Sequence, residues 1–364
     1  MSKAGAATFT DRLVPAARSL APSAEYLRHL SLSADEGVIR LASNENTEPP
    51  SPAVARALAD AFGDANLSPP PISPLARELA RRHGVDVDRI LVTAGSTEVI
   101  DAALRTFVRA GDEVVFPSPS WPVCRQRLAA LEATVVEVPL ECDQRTWHYR
   151  VGALLEAVTA ATKLIYVCTP NNPTGNPIAP ADLARLAQTG LPLLVDAAYC
   201  DFEPRVDIVA FARDRENVIL TRTFSKAYCL AGLRVGYALG GREIIGYVER
   251  MLVPGSAVSN AALHAGLAAL SDDRYYERQT ARITAERDRL TVALRALGIG
   301  VWESWGNFVP IDARAFPGLA GGLADALRAR RIVTRPFGDI LRISVGVARE
   351  NDAVIAAIAS IIGQ

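Results

Sequence analysis

At 364 residues, 49% of them hydrophobic and 22% charged, the chain has enough apolar surface for a large core without disulfides or metals, and its length suits two domains. Lys plus Arg (39) nearly balances Asp plus Glu (40), which leaves no overall field for nucleic acid or an anionic membrane, so a small-molecule partner is expected. The five cysteines form no C-x-x-C pair and the four histidines lie far apart, which argues against a metal and for a reduced, cytoplasmic chain. Residues 1–13 lack the apolar core of a signal peptide, and no window of about 18 uncharged apolar residues follows.

In chain order, residues 1–44 are mixed in pattern, carry Pro15 and Pro22, and are expected to form an arm with a short helix that packs with the smaller, carboxyl-terminal part. From about residue 45, apolar runs at 89–93, 113–116, 134–138, 163–169, 191–195, 217–220 and 235–239 read as buried strands. Helix-like segments at 97–109, 122–131, 152–160 and 180–188 lie between them. The alternation predicts an α/β fold over 45–250, with a mostly parallel seven-stranded sheet covered on both faces. Residues 68–74, SPPPISP, are expected to be an irregular loop. Beyond about residue 251 the texture changes. Residues 255–270 read as a buried helix rich in small side chains, 275–296 as a long charged helix, and 300–303, 307–311 and 341–345 as short strands of a small α+β domain spanning 251–364.

In an open parallel sheet, ligands sit beyond the carboxyl ends of the strands, so polar residues that follow an apolar run are the candidates for chemistry. Residues 91–98, LVTAGSTE, run from strand through a Gly95-Ser96-Thr97 turn into a helix, where free N–H groups and the helix dipole favour a phosphate. Taken alone, a Ser or Thr that merely caps the helix looks the same. Residues 163–175, KLIYVCTPNNPTG, end a buried strand in a turn with more Asn, Pro and Gly than a turn requires, and Asn172 could point into the crevice. In 193–199, LLVDAAY, a carboxylate follows a wholly apolar strand; Asp196 either caps a helix or faces a cation such as a protonated ring nitrogen, because an unpartnered buried carboxylate is costly. Residues 218–237 place Lys226 among Thr223, Ser225 and Arg234 in a loop of small and apolar residues, where a lysine can lower its pKa and form a Schiff base.

These four motifs, in this order, resemble the fold-type-I pyridoxal-phosphate enzymes of the class I/II aminotransferase kind. The wording of residues 40–46 (RLASNEN), 170–175 (PNNPTG) and 225–236 (SKAYCLAGLRVG) is most similar to the histidinol-phosphate aminotransferase family, and the resemblance runs from about residue 35 to the end. It implies pyridoxal 5′-phosphate as cofactor, an amino acid or amino-alcohol phosphate and a 2-oxo acid as substrates, and a homodimer. By the same resemblance, Lys226 forms the covalent link to the cofactor and carries the proton, and Asp196 holds the pyridine nitrogen protonated. Asn172 and Tyr199 bond the phenolic oxygen, and Trp121 stacks on the ring. Gly95, Ser96, Thr97, Thr223, Ser225 and Arg234 receive the phosphate, and Asn46, Asn172, Arg335 and Arg342 meet the substrate, a guanidinium suiting a carboxylate through two parallel bonds.

Three positions depart from the family's pattern. Pro22-Ser23 and the stretch 66–71, NLSPPP, stand where members commonly carry tyrosines, and Pro49 stands where a glycine is usual. The first loss weakens the case for a phosphorylated substrate, and the second predicts weaker cofactor retention. An aromatic amino acid aminotransferase and a same-fold lyase of the threonine-phosphate decarboxylase kind share the pattern. A DNA-binding regulator and a nicotinamide dehydrogenase do not: no basic helix-turn-helix pattern and no strand followed by G-x-G-x-x-G is present.

Overall fold

The computed structural model of the chain describes residue 14 and residues 37–253, 258–316 and 322–363. The arm's short helix, Pro15, Ser23 and residues 255–257 of the expected small-residue helix lie outside these. In chain order the strands are β1 (Ile39–Arg40), β2 (Ile90–Thr93), β3 (Glu113–Ser118), β4 (Thr134–Pro139), β5 (Glu141–Cys142), β6 (Trp147–His148), β7 (Thr162–Cys168), β8 (Leu193–Asp196), β9 (Val218–Thr223), β10 (Gly236–Gly240), β11 (Phe308–Asp312), β12 (Ile332–Val333), β13 (Arg335–Phe337) and β14 (Ile340–Ser344).

Seven of them make one sheet in the order β2-β10-β9-β8-β7-β3-β4, parallel except for β10, which runs against both β2 and β9. The apolar runs have a direct physical reading here. Ile165, Val167, Val195 and Leu220 join one core, whereas their sequence neighbours Leu164, Tyr166, Leu194 and Ile219 join another on the opposite face. With helices on both sides, successive residues of one strand are all buried and no polar alternation survives. The α/β fold expected from the alternation is the fold found.

A second, three-stranded antiparallel sheet, β11-β14-β13, packs with the long helix Asp273–Ala296 and the carboxyl-terminal helix Ala348–Ile362 around a third core that includes Phe308, Ile343 and Ile358. β1 pairs with β12, so the segment leading into Leu41 is carried by this part of the molecule.

Two expectations need correction. Residues 300–303 are not a strand. A single bridge joins Val301 to Ile311, flanked by Asp312 N on Gly300 O (2.9 Å) and Trp302 N on Pro310 O (3.1 Å), and the chain then turns away: Trp302 Nε1 donates to Asp143 O (3.1 Å) and Glu303 N to Arg145 O (2.7 Å) in the β5–β6 hairpin. The proline-rich stretch is irregular only through Ser73. Pro74 opens the helix Pro74–His83, at the position where a missing N–H costs nothing, and the Ser73 hydroxyl accepts from Ala76 N at 3.1 Å.

Candidate active site

The carboxyl ends of β2, β7, β8 and β9 open into a crevice closed on its far side by Ala42, Ser43, β13 and β14. Of the residues singled out by sequence, Ser96, Thr97, Trp121, Asn172, Asp196, Tyr199, Thr223, Ser225, Lys226, Arg234, Arg335 and Arg342 all line it.

Asp196 ends β8 at 4% exposure. Burial pushes its carboxyl up to about 6, despite hydrogen bonds from Ala198 N, Tyr166 Oη and Thr221 Oγ1, each at 3.3 Å. Half-buried Lys226 follows β9, and its Nζ donates to Ser43 O at 2.8 Å. Desolvation, with the guanidinium of Arg342 second, lowers its pKa to about 8. The burial that makes a carboxylate reluctant to ionise thus makes an amine ready to lose its proton.

At the end of β2 the chain turns at Gly95 (φ 85°) into the helix Ser96–Phe107, whose first N–H groups have no intrahelical acceptor. The turn is tight on both sides. A Cβ on Gly95 would lie 2.6 Å from the Arg234 guanidinium, and one on Gly236 would lie 2.3 Å from Ser96 N. Helix N-terminus, guanidinium and the Thr223 and Ser225 hydroxyls, 2.9 Å apart, form a cradle for a dianion.

Opposite lies a chain of polar groups. Tyr199 Oη accepts from Asn172 Nδ2 and from Asn44 Nδ2, both at 3.1 Å. Asn172 Oδ1 accepts from Arg342 Nη1 at 2.5 Å, and Arg342 Nη2 donates to Ala42 O. Arg342 stands opposite Arg335 in the β13–β14 register, 5.1 Å from the Phe337 ring and 5.7 Å from Phe308. Burial pushes its pKa down to about 10.

Two sequence candidates are not among the lining residues: Gly95, which forms the turn behind Ser96, and Asn46. Asn46 does not line the crevice: Nδ2 donates to Cys229 Sγ (3.0 Å) and Oδ1 accepts from Arg282 Nη2 (3.0 Å) and Glu48 N (3.1 Å). Two residues earlier, Asn44 takes a left-handed backbone (φ 51°), and that bend turns its amide, rather than that of Asn46, to Tyr199. Sequence reasoning also missed Tyr166, whose position in an expected strand gave no hint of its hydroxyl on Asp196, and Phe337.

These residues fit pyridoxal phosphate: an amine of lowered pKa for its aldehyde, a buried carboxylate for its ring nitrogen, and a glycine-lined cradle for its phosphate. Among the described residues no cluster of ligands could hold a metal ion, and no helix is long and apolar enough to cross a membrane.

Comparison with known proteins agrees. The family model for aminotransferase class I and II matches residues 36–358. An aromatic amino acid aminotransferase of Mycobacteroides abscessus is 38% identical over 88% of this chain and 92% of its own length, and a histidinol-phosphate aminotransferase of an Anaeromyxobacter species is 36% identical over 90% and 91%. The histidinol-phosphate aminotransferase of Sinorhizobium meliloti, solved in complex with pyridoxal-5′-phosphate, superposes with a TM-score of 0.85 at 28% identity, covering 97% of this chain and 98% of that one. The fold is that of the fold-type-I pyridoxal-phosphate enzymes. The chain belongs to the aminotransferase class I and II family. Pyridoxal 5′-phosphate is its cofactor, and it moves an amino group between an amino acid and a 2-oxo acid.

Proposed function

We propose that the crevice is the transamination site, and that its amino donor carries a planar ring together with an anionic group. In this reading Lys226 links the cofactor, Asp196 faces its ring nitrogen, Asn172 and Tyr199 its phenolic oxygen, and Trp121 its ring face. Gly95, Ser96, Thr97, Thr223, Ser225 and Arg234 hold its phosphate. When bound, the cofactor supplies an electron sink for the charge left on the donor's α-carbon as its proton departs. Lys226 Nζ is the base for that proton, and a pKa near 8 keeps part of the amine neutral around pH 7.

Arg342 carries the substrate half of the reading. It is 5% exposed, ion-pairs with no carboxylate among the described residues, and leaves its buried Nε without an acceptor. A buried cation in that condition is stabilised by an anion arriving from the crevice. Phe337, which lines the same space 5.1 Å from the Arg342 guanidinium, suits a flat side chain. Relatives named for histidinol phosphate and for aromatic amino acids share that chemistry, a ring and an anion.

The test is to mix cofactor-loaded protein with histidinol phosphate, phenylalanine, tyrosine, glutamate and alanine in turn and follow the cofactor's visible absorbance. Ring-bearing donors are expected to convert it faster than alanine. Conversion by aliphatic donors alone would overturn the assignment of donor.

The same reading divides the chain into a cofactor-binding part over 45–250 and a smaller part over 251–364 that the segment 1–44 joins; the pairing of β1 with β12 supports the last point. It takes the working unit to be a homodimer. Phe62, Leu67 and Ile72, exposed by 84%, 58% and 46%, present apolar surface along one stretch that a second copy would cover. The five free cysteines suit a reducing, cytoplasmic compartment.

A further inference from the structure

The hydroxyl of Tyr199 sits between two side-chain amides, and which amide atom faces it follows from the other contacts those amides make. A guanidinium can only donate, so the Asn172 oxygen 2.5 Å from Arg342 Nη1 is the acceptor and Nδ2 is left for Tyr199. On the other side, the backbone N–H of Asn44 donates to Ser344 Oγ at 2.8 Å. The Ser344 hydroxyl spends its own proton on Asn44 Oδ1 at 2.9 Å, which turns the Asn44 N–H toward Tyr199 as well. Asn44 is fully buried and further held by Asn307 Nδ2 on its carbonyl at 2.9 Å.

A phenol has one proton to give. With two N–H donors occupying its accepting side, the Tyr199 proton has the crevice as its remaining direction. We propose that Asn44, backed by Ser344, is a positioning residue that fixes the polarity of Tyr199, so that the phenol donates to the cofactor's phenolic oxygen instead of accepting from it. The inference rests on the reading that Lys226 and Tyr199 flank the bound cofactor. It assigns Asn44 an electronic effect on a group it does not touch: with the cofactor bound, a Tyr199 donor would draw charge from the cofactor's phenolic oxygen and so lower the affinity of the linked Lys226 nitrogen for its proton.

The measurement is the pH titration of the visible absorbance of cofactor-loaded protein. Asn44→Asp puts an acceptor beside Tyr199 and reverses the polarity. Ser344→Ala removes the proton that orients the amide, adds no charge, and keeps the test available should a buried carboxylate prevent folding. Asp196, Lys226, Arg234, Arg335, Arg342 and Glu45, the charged groups of the crevice, are unchanged in both.

Both variants are expected to move the midpoint upward, Asn44→Asp by about one pH unit, the equivalent of one charge-assisted hydrogen bond. In a Tyr199→Phe background the Ser344→Ala shift disappears, and the Asn44→Asp shift falls to what the added charge alone produces. No shift in either single variant, or equal shifts with and without the Tyr199 hydroxyl, would overturn the proposal while leaving the site reading intact. Failure of the unsubstituted protein to develop the absorbance at all would overturn the site reading, and this one with it.

Discussion

Lys226 and Asp196 respond to the same burial in opposite directions, and each gives a test. Lys226→Ala should abolish the covalent link to the cofactor and multiple turnover, checked by absorbance and a steady-state assay. With the Lys226 amine lowered to about 8, the rate at which cofactor-free protein takes up pyridoxal phosphate should rise from pH 6 with its midpoint near 8, well below the 10.5 of an ordinary lysine. Asp196 has its folded-state pKa raised, from 3.8 to about 6. A group of that kind contributes stability below its unfolded pKa, and the contribution is lost as pH rises through the folded value. Between pH 4 and pH 8, cofactor-free Asp196→Asn should therefore lose less stability than the unsubstituted protein, by roughly 2–3 kcal/mol, as read from urea unfolding. Arg342→Ala should raise KM for donors about 10- to 100-fold and lower kcat less, in keeping with one charge-assisted pair; an unchanged KM would remove Arg342 from the substrate. At this scale the sequence was most legible where one polar residue follows an apolar strand, as at Asp196, and where a motif surrounds it, as at Lys226. It misled at Asn46. The feature that selects Asn44 instead is a backbone angle of φ 51° and a partner, Ser344, 300 residues away, and neither is written in local pattern.

The turn between β2 and the helix Ser96–Phe107 tests the account at the scale of elements. Gly236→Ala would drive a Cβ to 2.3 Å from Ser96 N and 2.5 Å from the Gly95 carbonyl carbon, backbone atoms with none of the freedom of a side-chain end. Gly95→Ala meets mainly the end of a flexible side chain, Arg234, but at φ 85° it also strains the backbone. Gly236→Ala should lower Tm by more than Gly95→Ala, whereas Gly95→Ala should weaken cofactor binding more than it lowers Tm; the reverse ranking would contradict the cradle. The strands of the seven-stranded sheet were readable because burial on both faces leaves continuous apolar runs. β12 and β13 were not: they are two and three residues long, and their sequence, IVTRPF, carries crevice-facing Arg335 and a proline instead of an apolar repeat. Residues 300–303 have a strand's composition, yet only their first part pairs with β11, through the Val301–Ile311 bridge, before Glu303 N turns to Arg145 O in the β5–β6 hairpin.

For the whole molecule, the alternation of runs and helices conveyed a parallel sheet, but not that β10 would enter it antiparallel between β2 and β9, since direction depends on where the loop after Lys226 returns the chain. The stretch 66–71, where a tyrosine is common among similar proteins, bears on the assembly: without that hydroxyl, dialysis should strip cofactor readily, and tight retention in the absorbance spectrum would contradict the expectation. The chain's lysines are Lys3, Lys163 and Lys226, which makes the central claim unusually easy to isolate. Cofactor-loaded protein is reduced with borohydride, digested and mapped by mass. The added phosphopyridoxyl mass is expected on the peptide that contains Lys226 and on no other. The same mass on Lys163 or Lys3, or on no peptide, would contradict it.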